Sequence, residues 1–126
     1  MRTETIKLSK QELEIALDGF TGTQHYYLHR ITAGLTMNLT DGCEFARDHA
    51  SAYWLFDLIL SWQIHLKKQK FQVWNLIKQG DGSWFIQCTD GNENFLAAQE
   101  IAYSAFPLEK FEVWLVDGVC LLPSEY

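Results

Sequence analysis

Proline is nearly missing from this chain: Pro107 and Pro123 are its only two in 126 residues, so nothing forbids long helices or strands before position 107. Cysteine is scarce too. Cys43, Cys88 and Cys120 are odd in number and widely spaced, which argues against a disulfide framework or a zinc knuckle and suits a reducing compartment. All three read as small apolar side chains. Basic residues are outnumbered, ten Lys and Arg against sixteen Asp and Glu, and a formal charge of -6 repels a phosphate backbone. No nucleic-acid partner is expected. The one basic stretch, His65 to Lys70, follows an apolar run, where cations complement the carbonyl end of a helix. No apolar run reaches the ~20 residues that span a bilayer. "MRTETIKLSK" lacks the apolar core of a signal peptide, so the expectation is a cytoplasmic protein with no membrane association.

Signatures of catalysis and of cofactor binding are also lacking. There is no Gly-x-Ser-x-Gly, and the glycines fall mostly in Asp-Gly pairs that read as turns and caps, not in a phosphate-cradling loop. His25 and His29 have the spacing of helix-borne metal ligands, but no Glu follows the first. On a strand they would stand ~13 Å apart, too far to share one ion. The stretch from Asp90 opens like a calcium loop, yet Phe95 occupies the place of the required Gly and Ile101 that of the ligating Glu. Cys43, near the amide end of a helix, is the only thiol placed to be a nucleophile, and no flanking motif supports it. Neither a metal nor a cofactor is expected.

What the chain has in quantity is aromatic side chains: five Trp, five Tyr and eight Phe, 14% of residues in a composition otherwise ordinary for one globular domain over 1–126. Ser9 followed by Glu12 has capping-box spacing and predicts a short helix over about 10–18. "GFTGTQHYYLHRITAGLTMNLT" reads as loop with one or two short strands. Asp41 with Glu44 then predicts a long central helix over about 42–67, bending near Ala50 and Ser51. Beyond Phe71 the pattern alternates. "QGDGS", "TDGNEN" and the Asp117-Gly118 pair mark hairpin turns, while residues 95–106 suit a strand or a helical turn equally. The expectation is an α+β fold: an antiparallel sheet of about five strands, mostly over 71–123, packed on the central helix.

One carboxylate, Asp57, sits in the apolar run "AYWLFDLILSW" and needs a partner, water or a function. Helical steps of four align His49, Tyr53, Asp57, Ser61 and His65. Tyr53 and Ser61 are within reach, whereas His49 and His65 lie ~12 Å away along the axis. A histidine partner must therefore come from another element, such as His25 or His29. Asp57 reads either as a satisfied structural acid or as a base or ligand anchor beside Tyr53. The C-terminal "LLPSEY" reads as a segment that closes the domain, ahead of the alternative that it presents a short peptide to a partner.

The stretches "FTGTQHYY", "TDGCEFARDHASAYWLFDLI", "FQVWNL", "FPLEKFEVWL" and "GVCLLPSEY" resemble a family of small uncharacterised bacterial and phage proteins, known as a domain of unknown function, that end in Leu-Leu-Pro-Ser-Glu-Tyr. The resemblance implies a one-domain α+β protein and supplies no activity, ligand or site residue. From the residues themselves, the chain reads as a binding module and not an enzyme. Its partner would be another protein, a second copy of itself or a small ligand. The contact candidates are His49, Tyr53, Asp57, Trp74 and Trp114, the two tryptophans on the less buried sheet face. The rival readings are a small hydrolase using Asp57 with a histidine, and an inhibitor or accessory factor of a phage or plasmid system.

Overall fold

The computed structural model describes residues 8–126. The leader expectation drawn from "MRTETIKLSK" falls mostly on residues 1–7, outside the described residues. Helix α1 spans Lys10–Asp18 and begins with the expected capping box: Ser9 Oγ accepts the Glu12 N–H at 3.3 Å, and the Glu12 carboxylate accepts the Ser9 N–H at 3.0 Å. Leu13 is its buried anchor.

The expected long central helix is two helices, α2 over Asp41–His49 and α3 over Tyr53–Leu66. Between them Ser51 takes a left-handed φ of 55°. The break has a geometric reason. On an unbroken helix the buried arc of Gly42, Cys43 and Ala46 would point roughly 115° away from that of Leu55, Phe56, Ile59 and Leu60, at 100° per residue. Breaking the chain turns both arcs to the same core, and the buried Ala46, Ala50 and Ala52 let the corner close tightly. The cap also differs from expectation. Thr40 is the N-cap of α2 and accepts the Cys43 N–H, while Asp41 turns back to accept the Gln24 N–H at 2.9 Å.

The expected five-stranded antiparallel sheet is a curled mixed sheet of seven strands. Before α2, the alternating Tyr27, His29 and Leu35, Met37, Leu39 form a hairpin of β1 (Tyr27–Thr32) and β2 (Leu35–Leu39). After α3 come β3 (Phe71–Lys78), β4 (Trp84–Thr89), β5 (Phe95–Ile101), β6 (Lys110–Val116) and β7 (Val119–Leu121). The segment left open at 95–106 is thus strand to Ile101. The order is β1-β2-β7-β6-β3-β4-β5, and β7 pairs with β2 in parallel, which makes the sheet mixed. Among the described residues, β1 and β5 are its free edges.

The core lies between α3, α2 and the inner sheet face, where Trp74, Trp84, Phe56, Leu39, Ile59 and Ile86 are at most 1% exposed. Each such side chain contributes ~1.5–3 kcal/mol. Gln72, the most buried amide, joins α3 to β3: it exchanges two 2.8 Å bonds with Gln63, donates to the Leu66 and Gln69 carbonyls and accepts from Trp74 Nε1. Among the described residues, no helix is long and apolar enough to cross a membrane.

Candidate functional site

α3 opens at Tyr53 beside β1, and that adjacency builds the site. His29, on the inward face of β1 and 3% exposed, directs Nε2 at Asp57 Oδ1, 2.8 Å away. On its other side Arg47 of α2 brings Nη1 to 3.2 Å from His29 Nδ1. Arg47 Nε donates to Asp48 at 2.9 Å, and its guanidinium lies 4.7 Å from the Tyr53 ring centre. Tyr53 and Phe56 flank the imidazole with ring centres at 5.7 and 6.2 Å. Leu28, His29, Arg30, Arg47, Tyr53 and Asp57 line a surface depression of about 420 Å³.

The protonation pattern follows from the donors. A guanidinium can only donate, so Nδ1 must accept; Nε2 then carries the hydrogen and donates to Asp57. In this tautomer both nitrogens are occupied. His29 has no lone pair left to take a proton from a substrate or to bind a metal, and among the described residues no group of three or more His, Cys, Asp or Glu could hold one. Asp57, by contrast, keeps 52% of its side chain in water, and Tyr53 is 54% exposed.

Of the sequence candidates, Tyr53 and Asp57 meet here, and His29 is the histidine that Asp57 lacked. Ser61 does not help: its hydroxyl donates to the Leu58 carbonyl. His49 ends α2, its ring 4.5 Å from that of Phe45, and the break after it removes it from the row of α3. Trp74 is corrected: it points into the core at 1% exposure, because β3 turns Gln72, Trp74 and Leu76 inward. Trp114 does lie on the opposite face, half-buried between Phe71 and Tyr126 with ring centres at 5.4 and 5.1 Å. Arg47 was not singled out in the sequence. Only the break between α2 and α3 brings it to His29.

The remaining distinctive stretches meet at the start of α2. Glu125 accepts from the Thr40 hydroxyl at 2.6 Å, the Gly42 N–H at 2.9 Å and the Leu122 N–H at 2.9 Å. A carboxylate there complements the amide end of the helix. A Cβ on Gly42 would stand 2.6 Å from Leu122 Cδ1 and 2.8 Å from Glu125 Oε1, so a side chain there would have to push both groups aside. Thr23 accepts the Asp41 N–H at 2.8 Å. The Gln24 N–H, foremost, holds the Asp41 carboxyl below its usual range. Burial first, then Asp41, pushes the Tyr27 phenol up. "FTGTQ", "TDG" and "LLPSEY" thus form a structural clasp.

A family model matches residues 11–126, and the chain belongs to that family, a family of unknown function (DUF6876). This agrees with the resemblance seen in the motifs, at the level of a domain of unknown function. No curated protein and no solved structure matches the chain.

Proposed function

We propose that this chain is a protein-binding module without chemistry of its own, whose contact face is the free edge of β1 with Tyr53 and Asp57 beside it. The observation that carries the reading is the double engagement of His29. With one nitrogen facing Asp57 and the other facing Arg47, the cluster fixes where α2, α3 and β1 stand, and leaves an exposed aromatic ring and a half-exposed carboxylate next to the outer edge of β1. Tyrosine and arginine beside an apolar rim are the composition of contact surfaces. Tyr26 and Leu28 extend the rim, 62% and 58% exposed. Three buried thiols suit a reducing cytoplasm, and a role as inhibitor or accessory factor in a bacterial or phage system is one form this binding role would take.

The hydrolase reading draws on the 2.8 Å contact of His29 with Asp57, the pair that orients a catalytic imidazole. It ranks second because the nitrogen that would face a nucleophile faces Arg47 instead. A photo-crosslinking residue placed at Leu28, and as a control at Gly80 in the β3–β4 turn, tests the contact face in cell lysate and in purified protein. Protein adducts at position 28 and none at 80 are expected. Equal adducts at both positions, or none at either, would contradict the reading.

A further inference from the structure

We propose that the partner at the β1 edge is a second copy of this chain, joined by antiparallel pairing of β1 with β1 of the other copy about a two-fold axis at His29. This rests on the binding role above and names its occupant. The first support is the direction of backbone groups. The Asn38 N–H donates to the Gly118 carbonyl at 2.9 Å and the Thr40 N–H to the Cys120 carbonyl at 3.0 Å, so both face β7. Backbone groups alternate along a strand; Met37 and Leu39 therefore turn theirs to β1, where they oppose His29 and Tyr27. Leu28 and Arg30 consequently direct their N–H and C=O groups outward, away from β2.

The depression agrees with this. It is lined by Leu28, His29 and Arg30 in succession, together with Arg47, Tyr53 and Asp57, so it borders this strand along its length. That edge is unguarded from Tyr26 to Arg30. It has no Pro and no Lys, and its bulge, between Arg30 and Thr32, comes only at the far end. Tyr26, Leu28 and Ile31 are 62%, 58% and 45% exposed along it.

The strand is also complementary to itself. An axis at His29 sets Leu28 opposite Arg30 of the second copy and Tyr27 opposite Ile31, each pair occurring twice, as an isologous contact requires. The outward groups of Leu28 and Arg30 then form two hydrogen-bonded pairs. The aliphatic stem of Arg30 covers Leu28, and the two arginines do not face each other. β1 contributes no carboxylate to the seam, which matters between two copies of charge -6; the other edge strand, β5, carries Glu100. Both copies of α3 fall on one face of a continuous sheet, with Tyr53 and Asp57 bordering the seam.

Light scattering on the purified chain, over a dilution series, reads the result directly: the mass should be twice 14.6 kDa at high concentration. Leu28→Lys sets a cation opposite Arg30 at two symmetric places and should weaken the dimer about tenfold, the equivalent of ~1.4 kcal/mol. Leu28→Glu, placing opposite charges together, should leave it at least as tight. Leu28→Pro removes an outward N–H that β2 does not use and should give a folded monomer by circular dichroism. A monomer at every concentration, or a dimer that the Lys and Glu variants affect alike, overturns the pairing. A monomer whose position 28 still crosslinks to other proteins overturns only the second copy as partner; a monomer with no adducts there overturns the contact face as well.

Discussion

Glu125 reaches back across 83 residues to Gly42, whose N–H it accepts at 2.9 Å with its second oxygen while the first holds Thr40 and Leu122. The C-terminus thereby caps a helix whose own first residue, Asp41, is engaged elsewhere. Gly42→Ala would gain ~1 kcal/mol of helix propensity if space allowed. The new Cβ instead displaces Leu122 and Glu125, leaving donors at the start of α2 unsatisfied, and the net expectation is a loss of ~1–3 kcal/mol in urea denaturation. Glu125→Gln keeps the shape and loses the charge, for a smaller loss of ~0.5–1 kcal/mol.

Asp57→Asn should leave stability within ~0.5 kcal/mol of the parent, since the site is half in water and an amide oxygen can still accept from His29 Nε2. His29→Leu should cost ~1–3 kcal/mol, because it deprives the mostly buried Arg47 of an acceptor. Thermal unfolding of the two variants side by side checks the ranking; equal losses would count against the cluster as described.

Gln72→Leu is the severest single change expected outside the apolar core. It leaves the buried Trp74 indole N–H without an acceptor and takes one partner each from the part-buried Gln63 amide and the Leu66 and Gln69 carbonyls, at ~2–4 kcal/mol by denaturant titration. Because Gln63 and Gln72 serve one network, Gln63→Leu added to Gln72→Leu should cost much less than the sum of the two single changes.

Much of this was legible in the sequence, and the failures share a cause. The Ser9 and Glu12 capping box and the hairpin turns from Phe71 onward were read correctly because each depends on a few neighbouring residues. The break at Ser51 was read as a bend because alanine propensity argues for helix throughout; the signal against it is the rotation between the buried arcs of α2 and α3, which needs the core to be seen whole. Trp74 was misplaced for the same reason: alternation separates the two faces of β3 without saying which one the helices cover. The parallel pairing of β2 with β7 joins segments eighty residues apart and leaves no local trace. At the site, Asp57 announced itself as a lone acid among apolar neighbours, and His29 was named among its candidate partners, whereas Arg47 looked like any helical arginine.

The thiols give a pH prediction. Burial pushes the Cys43 and Cys120 thiols up, and the Cys88 thiol up to about 12. An unfolded thiol releases its proton near pH ~8.5, so above that the folded state holds more protons and stability falls as pH rises. The expected slope is about 1.4 kcal/mol per pH unit for each thiol, and Cys88→Ala should flatten it by one such share. Below pH 8 the native protein should resist alkylation at all three positions, and full labelling should require denaturant.

The most direct measurement is a nitrogen-15 spectrum of the His29 imidazole at neutral pH, assigned by comparison with His29→Gln. Anchorage between Asp57 and Arg47 predicts the tautomer with its proton on Nε2, slow to exchange with water, and Nδ1 as a hydrogen-bond acceptor. A proton on Nδ1, or a ring exchanging freely between both forms, would contradict it.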